Sequence, residues 1–201
     1  MFKKASTVLA VITLILTAAA CNGAGKTEGG GKTASDAPQS EATLVADMSM
    51  GEAAGEANGL ISRHQHGYEG LITVEVLAEG LSELTGLDFA IKEAVTGKDG
   101  VSVDWSPEAS FLGGLGNTEQ KEEFYVYDTD SLAWFMMDSL RGSIIENFGG
   151  QNLEVFYSMD GFKPLVVPGL SYPSEFPLNS PYMGSPFYFA HADGRGDDAA
   201  G

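Results

Sequence analysis

Between Asp128 and Val167 the chain carries its strongest folding instruction, a run with helical spacing that passes directly into a run with strand spacing. Ala133, Met137, Leu140, Ile144 and Phe148 recur every three or four residues, which puts them on one helical face, and Leu132 and Met136 widen that stripe. Thr129 suits an N-cap, Asp130 falls in the first turn, and Gly149-Gly150 follows the last periodic residue, where a left-handed C-cap belongs. Burying five such side chains on a sheet yields roughly 8–15 kcal/mol as an upper bound from transfer alone. The period then drops to two at Leu153, Val155 and Tyr157, Met159-Asp160-Gly161-Phe162 supplies a tight turn, and Leu165 to Val167 resume the apolar run. A helix feeding a β-hairpin is the expected unit.

The same unit occurs once more, nearer the front. Val74, Leu77, Leu81 and Leu84 share a helical face, Thr73 is placed to cap its start, Glu75 suits the positive end of the dipole, and Gly86 suits its end. Gly80 costs that helix up to about 1 kcal/mol relative to alanine, so packing must hold it. Phe89 and Ile91 then alternate with polar neighbours, Gly97-Lys98-Asp99-Gly100 turns, and Val101, Val103 and Trp105 alternate again. Helix, two strands, helix, two strands predicts an α+β fold: two helices packed on one face of a mostly antiparallel sheet, in a single small domain. Phe124 to Tyr127 offers one more short strand between the halves. Pro173, Pro177, Pro181 and Pro186 exclude residues 171–190 from any central strand or helix, and the aromatics among them predict an extended arm laid over the domain. Residues 191–201 read as a disordered tail.

The front of the chain concerns address more than fold. Residues 1–20 open with Lys3 and Lys4, continue through an apolar run from Val8 to Leu16, and end in small residues. That order is a secretory signal, too short for the roughly 20 residues of a spanning helix. Cys21, the only cysteine of the 201 residues, follows Ala18-Ala19-Ala20 directly, so no internal disulfide can form. Its placement resembles the lipobox of bacterial lipoproteins, with Ala18 where a larger aliphatic residue is usual. The resemblance implies that the thiol carries a diacylglyceryl group and becomes the first mature residue, anchored by acyl chains of the palmitate type; two chains suffice for stable anchoring. Residues 21–66 are rich in Gly, Ala, Ser, Thr and Glu and read as a flexible linker, with an added edge strand at Thr43-Leu44-Val45-Ala46 as the alternative for that short run. The net charge of −17 disfavours nucleic acid and repels anionic lipid heads, so tethering falls to the lipid.

Over residues 67–170 the order and spacing resemble the GerMN domain, a module of bacterial envelope lipoproteins named after a spore-germination protein. The helix ending Glu83-Leu84-Thr85-Gly86-Leu87, the strand Gly100 to Ser106, the helix from Met137 to Gly149, and Val155-Phe156-Tyr157 with Asp160-Gly161 carry the likeness. The family has a strand ending in an aromatic before the first helix; this chain has RHQHGYEG there, which leaves strand count and order open. The resemblance implies a small α+β module similar to ring-building domains of sporulation complexes, with no catalytic residues to transfer and self-association as one mode of use.

Reactive groups are thinly supplied. His64-Gln65-His66 offers two imidazoles without further placed ligands, and Gly25-Lys26-Thr27 and Gly31-Lys32-Thr33 lack the first glycine of a phosphate loop, so neither metal nor cofactor is expected. Glu122-Glu123 and Asp128-Asp130 are carboxylate pairs of the kind a glycan hydrolase uses, and are also ordinary loop and capping residues. Arg195-Gly196-Asp197 falls in the acidic tail as a chance match. Trp134, Tyr172, Phe176 and Tyr182 are the candidates for a recognition surface, with burial over the sheet as the competing role. The expectation is a non-catalytic, lipid-anchored protein of the extracytoplasmic membrane face that binds an envelope protein or peptidoglycan. A cell-wall hydrolase acting through a carboxylate pair, or a small-ligand-binding lipoprotein with an enclosed apolar pocket, are the alternatives.

Overall fold

A helix fit to be buried on all sides sets the architecture. In the computed structural model, which describes residues 39–98, 100–115, 119–149, 152–170 and 172–192, helix α4 (Thr129–Phe148) is buried without interruption from Leu132 to Leu140. The sequence predicts one apolar stripe; three adjoining faces of α4 turn out to be covered. The predicted stripe of Ala133, Met137, Leu140 and Ile144 packs in the core with Val101, Val103, Val155 and Tyr157, and the Tyr157 hydroxyl donates to the Met137 carbonyl at 2.8 Å. Asp128, one residue ahead of the expected Thr129, is the N-cap: its carboxylate accepts from the Ser131 backbone N–H and hydroxyl, both at 2.8 Å. An aspartate reaches two donors there where a threonine hydroxyl reaches one.

The fold is α+β in a small single domain, with a two-stranded antiparallel ribbon, β1 (Gln39–Asp47) and β2 (Ile61–Glu69), and a four-stranded mixed sheet. The sheet runs β3 (Ile91–Thr96), β4 (Gly100–Trp105), β5 (Glu154–Met159), β6 (Lys163–Pro164). Its outer pairs are antiparallel hairpins at the two predicted turns, while the central pair β4–β5 is parallel. Parallel neighbours need a long crossover, and α4 supplies it, a connection that the hairpin reading omits. Helix α2 (Val74–Thr85) forms as expected: Thr73 accepts from the Val76 N–H, and Gly86 ends it at φ 76°, where only glycine sits without strain. Short helices α1 (Ala54–Ala57) and α3 (Ser110–Gly113) fill connections.

The main correction concerns the linker. Residues 39–66 of the segment expected to be a flexible tether are structured, and the alternative reading of Thr43–Ala46 as a strand is the observed one, within a nine-residue β1. β2 pairs with it in register from Ile61 to Glu69 and ends beside the aromatic Tyr68, ahead of α2. Local composition hides this because β1 depends on distant partners. Along its unpaired edge the N–H groups of Thr43, Val45 and Asp47 donate to side chains of α4, namely Asn147 at 3.0 Å, Ser143 at 2.9 Å and Ser139 at 3.0 Å. These acceptors recur every four residues, so the polar seam of α4 finishes a strand edge that is otherwise open. Ala42, Leu44 and Ala46 are fully or almost fully buried on the other alternation.

Two further expectations are corrected. Phe124 to Tyr127 is not a strand: a single 3-10 turn spans Glu122–Phe124, and Val126 is fixed by the Gln120 side chain at 2.8 Å. Beyond the two-residue β6, Leu165 pairs only with Phe176 of the arm, so Leu165 to Val167 does not extend the hairpin. The arm itself lies over the domain as predicted but ends in helix α5 (Ser185–Ala192), which the proline count excludes. Pro186 falls in its first turn, where a missing N–H costs nothing. The signal segment 1–20, Cys21, the front of the linker and residues 193–201 lie outside the described residues. No helix among the described residues is long and apolar enough to cross a membrane.

Candidate functional site

Trp134, Asp138 and Arg141 follow one another at four and three residues along α4, and they make the helix's third face. The arm is fastened to them. The Tyr182 hydroxyl donates to Asp138 Oδ1 at 2.7 Å, the Ser185 N–H donates to the same oxygen at 3.0 Å, and the Ser185 hydroxyl donates to Asp138 Oδ2. Arg141 Nε donates to the Tyr182 carbonyl at 3.1 Å, and the Tyr182 N–H reaches the Val155 carbonyl at 2.7 Å. Burial pushes the Asp138 carboxyl up to about 6, with the charge of Asp47 adding to the rise and the bonds from Ser185 and Tyr182 opposing it. Burial likewise holds the Tyr182 and Tyr157 hydroxyls well above their ordinary range. Asp138 therefore anchors the start of α5 from inside the core.

Above that anchor the aromatics gather. Trp134 packs against Tyr182 at 6.5 Å, Phe176 at 6.1 Å, Tyr188 at 5.6 Å and Phe189 at 5.6 Å between ring centroids. Of the four residues predicted to form a recognition surface, Trp134, Phe176 and Tyr182 are at most 3% exposed, so they are corrected to core residues in the competing role foreseen for them. Their burial follows from the latch, which draws the arm onto α4. Tyr172 is half-buried and keeps a place at the surface.

Beside this cluster is a cavity of about 350 Å³, lined by Met50, Asp130, Ser131, Trp134, Leu170, Tyr172, Tyr188, Phe189 and Ala192. Three segments far apart in sequence build it: the first turns of α4, the loop after β1, and the arm with α5. Trp134 and Tyr172 are thus brought together at one hollow, while Phe176 and Tyr182 lie in the packing behind it. Met50 and Gly51 both adopt left-handed backbone, at φ 48° and 91°, and a side chain on Gly51 would run into the Phe189 ring. A strained non-glycine residue at the rim of a hollow marks a place where the surroundings fix the backbone. Sequence reasoning passed over Met50, Ser131, Leu170 and Ala192, and read Asp130 only as a first-turn or paired carboxylate; the four-residue step from Asp130 to Trp134 is a local signal that joins two of the lining residues.

The other candidates are placed as follows. His64 and His66 sit on one face of β2, His64 against Phe124 at 5.8 Å and within 2.9 Å of the Ser62 hydroxyl, His66 stacked on Tyr68 at 6.3 Å. Among the described residues no group of three or more His, Cys, Asp or Glu side chains is arranged to hold a metal ion. Glu122 and Glu123 are exposed on the 3-10 turn, and the Asp128–Asp130 pair divides into a helix cap and a cavity wall. A third carboxylate, Asp104, is buried at the end of β4 and accepts from Ser158 Oγ at 2.8 Å and from the N–H groups of Gly161 at 2.8 Å and Phe162 at 2.9 Å. It ties down the β5–β6 turn. Compared with known proteins, the chain matches no family model, no curated protein and no solved structure.

Proposed function

We propose that this chain is a lipid-anchored lipoprotein of the extracytoplasmic membrane face, held at Cys21, whose GerMN-like module binds another envelope component without catalysing a reaction. The observation that carries the reading is the aromatic cavity between α4, the Met50 loop and α5. Recognition sites are commonly concave and largely apolar with a few placed polar groups, and this hollow has Asp130 and Ser131 among otherwise apolar walls. Its volume of about 350 Å³ favours a small ligand, or a protruding group of a larger partner, over flat contact between surfaces. Asp138, the described carboxylic acid raised toward neutrality, has Tyr182 and Ser185 as its bonding partners, which gives it a part in holding the arm rather than in hydrolysis.

Support for the anchor comes from the single cysteine after a signal-like segment, and support for the GerMN-like reading comes from the element order strand, helix, hairpin, helix, strand pair. The test separates address from recognition. Cys21→Ala is expected to move the protein from the membrane to the soluble fraction, and retention at the membrane would refute the anchor. Ala192→Trp, on a half-buried position at the cavity mouth, is expected to abolish co-purification of the envelope component after mild detergent release. Undiminished co-purification by a folded Ala192→Trp variant would move recognition to another surface.

A further inference from the structure

We infer that the cavity takes a compact organic cation, a methylated or protonated amine with a short apolar body; this rests on the cavity being the recognition site. Three observations converge on charge and shape. The first is the wall: Trp134, Tyr172, Tyr188 and Phe189 are four aromatic residues among the nine that line the hollow. The negative faces of such rings attract cations, and the attraction grows when the site is desolvated.

The second is Asp130. It is the one charged residue of the lining, and among the described residues no lysine, arginine or histidine pairs with it. Gly169, at φ 86°, brings the arm past its carboxylate, and a β-carbon there would stand 3.7 Å from Asp130 Oδ1. The lining thus holds a carboxylate with no cation of its own. A bound ammonium group would supply the missing partner.

The third removes the opposite choice. A cavity at the start of a helix ordinarily favours an anion, because backbone N–H groups point into it. Here Asp128 already accepts the Ser131 N–H and hydroxyl, both at 2.8 Å, so this chain's own carboxylate occupies the anion's place. With Asp128 and Asp130 side by side and a net charge of −17, the local field draws cations in. The volume of about 350 Å³ sits at the small end of ligand cavities, which limits the body attached to the ammonium group.

Calorimetric titration of the full-length protein in detergent tests this with choline as the probe and 3,3-dimethylbutan-1-ol as its neutral isostere. Choline is expected to bind saturably and at least about tenfold more tightly than the neutral alcohol, the span that 1.4 kcal/mol represents. Asp130→Asn is expected to remove that preference while leaving the alcohol's affinity unchanged. Phe189→Leu, at a residue 46% exposed and so tolerant of change, is expected to weaken choline several-fold and the alcohol little. Equal affinity of the two probes overturns the cation assignment and leaves the cavity as a recognition site. Absence of saturable binding by either probe overturns the assignment as well, and the Ala192→Trp co-purification then decides separately whether the cavity is used at all. Choline binding untouched by both Asp130→Asn and Phe189→Leu places the cation elsewhere and also overturns it.

Discussion

The backbone N–H of Val45 donates to the hydroxyl of Ser143 at 2.9 Å, joining residues 98 positions apart in sequence. This bond is the middle rung of a seam in which a helix completes the edge of a β-strand. Thr43 and Asp47 make the flanking rungs to Asn147 and Ser139, and the Asn147 amide returns a bond to the Thr43 carbonyl at 2.7 Å. Ser143→Ala is expected to leave the Val45 donor unsatisfied and to lower stability by about 1–3 kcal/mol. Urea unfolding measures it, and an unchanged midpoint would contradict the seam.

Gly142 decides how closely that seam can close. A β-carbon there would lie 2.9 Å from Val45 Cγ1, a distance at which the strand or the helix must shift. Helix propensity alone favours Gly142→Ala by about 1 kcal/mol, whereas forcing β1 away from α4 costs about 1–3 kcal/mol and loosens three hydrogen bonds. A net loss of up to about 2 kcal/mol is expected. A gain in melting temperature would show that the strand has room to give.

These two contacts explain what was legible. Helix α2 could be read from its own residues because Thr73, Gly86 and the Val74–Leu81 spacing act within a few positions of one another, and both hairpins announce themselves through glycine turns. β1 could be read only as the short alternative at Thr43–Ala46, since two of its three inward residues, Ala42 and Ala46, are alanines and the donors on its edge find acceptors only after α4 has folded against it. The parallel β4–β5 pair escapes for a related reason: alternation reports which residues face the core, not the direction of the neighbouring strand. At the candidate site, Trp134, Tyr172, Phe176 and Tyr182 look the same in sequence, yet Trp134, Phe176 and Tyr182 are buried while Tyr172 keeps a place at the surface. What separates them is the Asp138 latch, and a lone aspartate on an apolar helix carries no local sign of its partner.

Asp104 gives a second test of a buried carboxylate used for structure. Asp160, Gly161 and Phe162 form a turn with φ of 48°, 89° and 58°, two of them non-glycine residues in left-handed backbone. Such conformations persist only when their surroundings determine them, and here the Asp104 oxygens accept from the Gly161 and Phe162 N–H groups. Asp104→Ala is expected to cost about 3 kcal/mol through unsatisfied donors and release of the turn. Asp104→Asn, which keeps one acceptor oxygen, is expected to cost less, and hydrogen exchange at Phe162 should rise in both. Unchanged protection at Phe162 would show that the turn holds itself.

Met137 tests the face of α4 on which the architecture depends. Its side chain is fully buried, and its carbonyl accepts the Tyr157 hydroxyl. Met137→Asp places an unpaired charge among Val101, Val155 and Leu140, a change that ranks with the most destabilising single substitutions. Loss of cooperative unfolding by circular dichroism is the expected result. An unaltered transition would mean that this face is solvated.

Asp138 makes stability depend on pH in a direction opposite to that of an ordinary ion-paired carboxylate. Its folded value of about 6 stands above the 3.8 of a free side chain, so between those values the folded protein binds the proton more strongly than the unfolded chain. The resulting stabilisation is fully present below about 3.8 and is lost as pH rises through 6, an amount on the order of 3 kcal/mol. Asp160 acts in the reverse sense: bonds from Lys163 and Lys92 hold its carboxyl near 2, so its contribution is present above 3.8 and lost as pH falls further. Asp138→Asn, neutral at every pH and still able to accept from Tyr182, is expected to flatten the gain between pH 7 and pH 5 while keeping a folded core. If urea midpoints of the native protein and Asp138→Asn rise equally over that interval, the latch does not titrate there and Asp138 is charged in the folded state throughout.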